Sequence, residues 1–431
     1  MQENKQKILI IGSGGREHSI GWKLKQSEKV GELFFAPGNG GTLELGINVD
    51  IKATDIKGLI DFVKKEKIDM TLAIPDDPLA LGIVDEFKKE NLKIFGPSKN
   101  ASQIESSKAF SKNFMSRHNL PTAKFEVFSN YDKAKEYFKN HSLPVVIKVS
   151  GLALGKGVFI CESLSEADTI LENILLKKSF GEAGSEVVIE EFLTGPEIST
   201  HVFTDGKSYS IFPVSQDHKK VGEDDTGNNT GGMGTIAPIP FVESGLIKSI
   251  KESIIKPTLE SMREDGNTFS GVLYPGLMLT PDGPKILEYN ARFGDPETQT
   301  YMRLLDTDLY DIVNACVEGN LDQIKINWKD MSACTVVLAS GGYPENYEKG
   351  KIISGVKEMN DDSIVIFQAG TKYDSDHNLV TNGGRILGVS AVGANLEEAL
   401  ARAYKAIEKI SFEGMYFRKD IGKKTLERNK L

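Results

Sequence analysis

KILEYNARFGDPETQ, residues 285–299, joins an apolar strand pattern to a run of ionisable and amide side chains. On an extended strand residues two apart share a face, so Glu288, Asn290 and Arg292 are expected to project together, with Leu287 and Tyr289 on the opposite side. A carboxylate and an amide oxygen are hard donors of the kind Mg2+ takes when its other ligands are waters and nucleotide phosphates. An arginine beside them can neutralise a transferring phosphoryl group or clamp a carboxylate. The plain alternative is a polar face on an edge strand.

The segments before it sharpen the choice. GVLYPGLML (271–279) reads as the preceding strand, after a helix near 241–265. SQDHKKVGEDDTGNNTGGMGT (215–235) reads as a polar, glycine-rich loop, long enough to be either functional or disordered. ISTHVFT and SYSIFPV flank Asp205-Gly206 as a hairpin. Earlier still, KFEVF, VVIKV and GVFICE alternate with helical pattern and read as a second α/β unit that ends in the strand EVVIEEFL. Lys148 closes VVIK, and GLALGKG (151–157) sets Lys156 between glycines whose N–H groups can approach phosphate oxygens. It is no Walker loop, because Gly157 stands where Ser or Thr is required; a flexible turn with a solvated lysine is the alternative. In EEFLTGPE (190–197), strand-end backbone can read an adenine edge and carboxylates can hold a ribose, against the alternative of ordinary surface acids.

At the N-terminus KILII, ELFFA, TLAI and KIFG alternate with helical segments as a parallel α/β domain. The turn GSGGREH (12–18) lies where such a unit binds phosphate. It fails the dinucleotide fingerprint, since Glu17 occupies the third glycine position. From residue 329 CTVVLAS, SIVIFQAGT and ILGVSAVG precede a final helix, forming a strand-rich unit. A chain of 431 residues implies two to four domains. A net charge of −9 argues against a general polyanion binder such as a nucleic-acid protein and leaves room for local basic pockets that take phosphorylated small molecules. Three dispersed cysteines form no metal-ligand spacing, MQENKQKILII lacks a signal-peptide pattern and no apolar run reaches membrane-spanning length, so a cytoplasmic protein away from membranes is expected.

Taken together, the phosphate-approaching lysines, the EEFL segment and the Glu-x-Asn-x-Arg strand resemble the ATP-grasp ligases. GGREH, GLALGKG, SQDHKKVGEDDTGNNTGGMG, RFGDPETQ and TNGGRILGV are similar, in order and spacing over residues 7–424, to the phosphoribosylamine–glycine ligase (glycinamide ribonucleotide synthetase) family. The resemblance implies an ATP-grasp fold, α/β and α+β in class, with an N-terminal parallel α/β substrate domain (1–105), an ATP-grasp domain (106–328, with a mobile lid subdomain over 122–190) and a strand-rich C-terminal domain (329–431). It implies ligation of glycine to 5-phosphoribosylamine through glycyl phosphate, with release of ADP and phosphate, in purine biosynthesis. Lys108, Lys148, Lys156, Glu190, Glu191, Phe192, Leu193, Glu197, Lys220 and Asn229 become ATP contacts, with Lys156 and Arg292 catalytic. Gly14, Gly15, Arg16, Asp217, Arg292 and Asp295 become substrate contacts, and Glu288 and Asn290 ligands of Mg2+, with Mn2+ as its substitute. A monomer or weak homo-oligomer is implied.

Three departures stand out. Ile74-Pro75-Asp76-Asp77-Pro78-Leu79 replaces an expected Gly-Pro-Glu-Ala-Pro-Leu, Asn228 a proline and Lys220 an arginine. The first shortens one carboxylate and adds a negative charge at a strand end where ligands bind in open α/β sheets. His18 and His218 stand beside the motifs, but a histidine near substrate more often positions it than moves a proton. A nicotinamide-dependent oxidoreductase and a non-catalytic nucleotide sensor are the readings from other classes.

Overall fold

The structure, a computed structural model, describes residues 5–139, 141–153, 157–357 and 361–429. Its N-terminal sheet contains β1 (Gln6–Gly12), β2 (Val30–Pro37), β3 (Ile47–Asn48), β4 (Met70–Ala73) and β5 (Ile94–Phe95). All pairs are parallel, in the order β3-β2-β1-β4-β5. Ile8 to Ile11 are wholly buried, as expected of a strand covered on both faces. The strand order reverses at β1, and the crevice beyond the carboxyl ends of β1 and β4 is where such sheets bind ligands. Helix α1 (Gly15–Leu24) starts there after β1, and α2 (Asp76–Leu81) after β4. Helices α3 (Lys99–Ser106) and α4 (Lys108–Arg117) lead out of this unit, each capped by a serine, Ser98 and Ser107.

The next four strands, β6 (Phe125–Phe128), β7 (Val145–Val149), β8 (Val158–Cys161) and β9 (Val187–Glu191), form a sheet in the order β6-β9-β7-β8. Every pair in it is antiparallel. The expectation of a second α/β unit is corrected here: the stretch between β7 and β8 is too short for a crossover helix, so the chain returns as a hairpin. This sheet and its helices share a core of their own, with Phe138, Ile147, Leu171 and Val187 among its members.

Beyond it come β10 (Glu197–Ser199), β11 (Val202–Thr204) and β12 (Tyr209–Ile211), with β11 and β12 forming the hairpin expected around Asp205-Gly206. The polar stretch that follows is a set of short strands rather than an irregular loop: β13 (Gln216–Asp217), β14 (Lys220–Gly222), β15 (Thr226–Asn229) and β16 (Gly234–Ala237). After helical turns over 244–264, β17 (Gly271–Thr280) and β18 (Gly283–Asn290) complete the central sheet. β10 and β11 line one edge of β17, and β18 runs along the other.

The β17–β18 ladder carries a bulge, with Gly276 opposite Glu288 and Leu277 opposite Ile286, so Leu287 is the extra residue. Simple alternation is thereby corrected. Ile286 and Tyr289 enter the core, while Leu287, Glu288 and Asn290 line the central cleft. The strand also stops at Asn290, which places Arg292 in the bend beyond it.

The last unit contains β19 (Ser332–Ala339), β20 (Ile364–Gln368), β21 (Thr371–Tyr373), β22 (Leu379–Thr381) and β23 (Arg385–Gly393). Its sheet has the order β13-β16-β19-β23-β20, so two strands from the polar stretch are built into it. Helix α5 (Glu297–Leu304) packs against α1, β19 and β23, and α6 (Leu396–Ile407) covers β23.

Candidate active site

A cleft of about 1200 Å³ runs between these units. Arg16 and Asp76 reach it from the N-terminal sheet, Lys108, Lys148 and Glu190 from the middle of the chain, and Arg385 from the C-terminal sheet. Each arrives from an element end, where side chains escape the packing of the ladders.

Two lysines share one buried carboxylate on its floor. Glu190 Oε1 lies 2.5 Å from Lys148 Nζ and Oε2 lies 2.5 Å from Lys112 Nζ. Lys148 Nζ also donates to the Leu287 carbonyl at 3.1 Å, tying β7 to the bulge. Burial would raise the Glu190 carboxyl, but Lys148 and Lys112 hold it below its ordinary value. Lys112 is itself pushed down to about 8 by burial, against the pull of Glu190. The side chain of Glu190 is thus spent on lysines, which leaves the backbone of 190–193 to face a ligand. Glu191 accepts from the Lys124 N–H at 3.0 Å, Phe192 is exposed at the rim and Leu193 is buried in it. Lys108 lies nearby, its ammonium disfavoured by burial and favoured by Glu288. Lys156 lies outside the described residues.

Glu197 and Glu288 both contact Lys219, Glu197 through a short ion pair and Glu288 Oε1 at 3.3 Å. Burial would raise the Glu288 carboxyl, yet Lys219, Lys148 and Lys108 bring it down to about 2. Asn290 Oδ1 accepts from Arg292 Nη2 at 3.2 Å, and the same nitrogen lies 2.9 Å from Glu105 Oε1. Glu105 Oε2 accepts the Ala291 N–H at 2.7 Å, so one carboxylate on α3 fixes both the bend and its arginine. Among the described residues Arg292 Nε is buried without a partner.

The glycine turn is braced from within. Glu17 folds back under it: Oε2 accepts the Gly14 N–H at 2.6 Å and Oε1 accepts Arg16 Nε at 2.8 Å. Gly12 has φ of +126°, and a Cβ there would meet the Glu17 side chain at 2.6 Å. With the Gly14 donor already used, Arg16 is what the turn presents to the cleft, and Gly14 and Gly15 stand behind it. Asp295 faces the same place, 3.2 Å from Arg385 Nη2 and bonded to Gln299 Nε2 at 2.8 Å. Asp76 lies in the cleft, where burial opposes its ionisation and Arg292 and Arg16 favour it. Asp77 is exposed and outside the lining, so the extra charge does not enter the cleft.

Asp217 lines the cleft with Oδ1 unpartnered among the described residues, and burial and then Glu297 push its carboxyl well above the ordinary range, against Lys219. Glu297 Oε1 accepts Tyr274 Oη at 2.7 Å. Lys220 and Asn229 pair across the ribbon β14–β15 at the cleft wall. The two histidines are structural. The Gly422 N–H donates to His218 Nε2 at 3.0 Å, which leaves Nδ1 to donate to the Gly234 carbonyl at 3.1 Å. His18 Nδ1 accepts the Gln368 N–H at 2.8 Å. Burial brings both down to about 4.

The sequence reading passed over Lys112, Lys219, Glu105, Glu297 and Arg385. Lys112 stands one helical turn after Lys108, and Lys219 two strand positions after Asp217, so periodicity held both signals. Glu297 and Arg385 lie inside the quoted motifs RFGDPETQ and TNGGRILGV.

A nucleotide-sized cleft, with Lys148 on an antiparallel β sheet facing an acid–amide strand across it, defines an ATP-grasp enzyme, a class that uses ATP. The fold agrees: biotin carboxylase from Campylobacter jejuni superimposes with a TM-score of 0.73 at 14% identity, covering 100% of this chain and 96% of that one. Models of the phosphoribosylglycinamide synthetase N domain, ATP-grasp (A) domain and C domain match residues 6–105, 106–298 and 333–424. The phosphoribosylamine–glycine ligase of Chlorobaculum tepidum is 47% identical over 97% of this chain and 100% of its own length, and that of Caldanaerobacter subterraneus 46% over 96% and 99%. The crystal structure of the Thermotoga maritima phosphoribosylamine–glycine ligase aligns with a TM-score of 0.83 and 35% identity over 96% of this chain and 99% of that one. This chain belongs to the phosphoribosylglycinamide synthetase family.

Proposed function

We propose that the cleft joins glycine to 5-phosphoribosylamine at the expense of ATP, in purine biosynthesis. The observation that carries this reading is the convergence of Arg16, Arg292 and Arg385, from three parts of the chain, on the cleft that Lys108, Lys148 and Lys219 also line. ATP lies against these lysines, with its adenine against the backbone of Glu190, Glu191, Phe192 and Leu193, its ribose at Glu197, and its phosphates toward Lys108, Lys148 and Lys156. Lys220 and Asn229 approach it from the ribbon. Arg292, Asp295 and Asp217 take glycine, and Arg16, backed by Gly14 and Gly15, takes the phosphate of phosphoribosylamine.

The glycine carboxylate attacks the γ-phosphorus, ADP leaves, and the amine displaces phosphate from the resulting glycyl phosphate. No side-chain nucleophile is required, so the protein contributes position and charge. Lys156 and Arg292 act on the transferring phosphoryl group. Glu288 and Asn290 fit Mg2+, or Mn2+ in its place: Glu288 is held ionised and both offer hard oxygens, with too few ligands for a cage without nucleotide. Held by Glu288 and Asn290, the ion would supply positive charge to the nucleotide phosphates. Acyl phosphates hydrolyse readily, which favours closure of the β6–β9 unit over the cleft.

We divide the chain at 1–105, 106–328 (with the lid over 122–190) and 329–431, and place the enzyme in the cytoplasm as a monomer or weak homo-oligomer. Among the described residues no helix is long and apolar enough to cross a membrane. The test is ADP release with glycine, bicarbonate or formate, each with and without phosphoribosylamine. Full turnover with glycine plus phosphoribosylamine alone is expected; turnover with bicarbonate or formate would overturn the assignment.

A further inference from the structure

The ribbon β14–β15 brings Lys220 and Asn229 to the cleft and directly follows Lys219, yet its own ladder is slight. Lys220 pairs with Asn229 and Gly222 with Thr226 across an irregular register, and a two-stranded ribbon alone is marginal in water. Its tip is strained as well: Asp224 and Asp225 have φ of 56° and 61°, a left-handed conformation that residues with a Cβ seldom adopt.

What holds it comes from the far end of the chain. Arg418, 1% exposed, donates from Nε and Nη2 to the two oxygens of Asp420, each at 2.8 Å. Its Nη1 donates to the Lys220 carbonyl at 3.0 Å and to Asp225 Oδ1 at 2.9 Å. Asp420 Oδ2 accepts the Asp224 N–H at 2.8 Å, and Tyr416 Oη donates to the Val221 carbonyl at 2.8 Å. A planar guanidinium satisfies a carboxylate, a carbonyl and a second carboxylate at once, which an ammonium on a flexible stem does not. The strained tip and β14 are therefore gripped from one side by residues that do not themselves line the cleft, and β15 is held through its ladder to β14.

We propose that Arg418, with Asp420, is a positioning residue for the nucleotide: it acts through the ribbon, fixing the placement of Lys219, Lys220 and Asn229. This rests on the reading of the cleft as the ATP site. The experiment compares Arg418→Met, Arg418→Lys and wild type, all full length, by steady-state ADP release and by hydrogen exchange without nucleotide. Losing charge-assisted bonds to this short ribbon should raise KM for ATP about tenfold in Arg418→Met and less in Arg418→Lys. KM for glycine and phosphoribosylamine should be unchanged, and amides of 218–229 should exchange faster while those of β19 and β23 do not. An unchanged KM for ATP, unchanged exchange in the ribbon, or an equal rise in all three KM values would overturn the proposal. Should Arg418→Met fail to fold, Asp420→Asn, nearly isosteric, is read by the same criteria. Absence of glycine-dependent ADP release in wild type would instead overturn the functional reading, while exchange in the ribbon still reports on Arg418.

Discussion

Asp76 and Asp77 are adjacent in sequence and separate in consequence. Asp76 faces Arg16 and Arg292 inside the cleft, ionised because those arginines outweigh its burial, so it can accept a hydrogen bond from a sugar hydroxyl. Replacing it with Ala should raise KM for phosphoribosylamine about tenfold, the scale of one hydrogen bond to a charged group. Asp77→Ala should leave the same KM unchanged, because that side chain is exposed and outside the lining. Steady-state kinetics on the two variants decides it, and equal effects would mean that the loop is misplaced. Two other side chains act on stability. His18 and His218 titrate near 6.5 in the unfolded chain and about 4 in the fold. The unfolded state thus binds the extra protons first. Their contribution is complete above 6.5 and is lost as pH falls toward 4, by ~3 kcal/mol for each at full extent. Urea unfolding from pH 7 to 4.5 should show this loss, and His218→Gln should show less of it.

The bulge in β18 decides which of its side chains enter the core and which face the cleft. Alternation from Glu288 would put Leu287 and Tyr289 inside, whereas the observed register buries Ile286 and Tyr289 and turns Leu287 to the cleft. Ile286→Ala should therefore cost roughly 2–5 kcal/mol, with little change in KM for ATP in the folded protein. Leu287→Ala should cost less stability and raise KM for ATP. Urea unfolding beside kinetics would expose the reverse pattern if alternation held. The parallel sheet, the Asp205-Gly206 hairpin and the strands on either side of the bulge were legible in periodicity, because their apolar faces are set locally. The bulge was not, since an extra residue in one strand shows only against its partner. Likewise, β7–β8 looked like part of an α/β unit until short connection and antiparallel pairing were seen together. The stretch 215–235 looked like a loop because its strands are held by tertiary partners rather than by their own propensity. The same reason hid Lys219, Glu105 and Arg385, whose roles come from oppositely charged partners distant in sequence, Glu288, Arg292 and Asp295 respectively.

Across the molecule, the cleft joins units of unequal autonomy. The β13-β16-β19-β23-β20 sheet is stitched from the middle and the end of the chain, so its opening disrupts both. The β6–β9 sheet has a core to itself and meets the body through polar ties that include Lys112 to Glu190, Lys148 to the Leu287 carbonyl, Lys285 to Glu191 and the Lys108 N–H to the Ser150 carbonyl. A small, separately cored unit tied in this way opens at lower free energy than the rest. Native-state hydrogen exchange should show β7 and β9 opening sub-globally while β19 and β23 exchange only through global unfolding. ATP lying between Lys148 on β7 and Glu288 on β18 would bridge the two bodies. Nucleotide at a hundred times its Kd stabilises the bound state by about 2.7 kcal/mol, and that gain should appear first in β7 and β9, because their opening breaks the bridge while other local openings leave it intact. Exchange in β7 and β9 that is insensitive to ATP would place the nucleotide on one body alone, and with it remove the reason for closure.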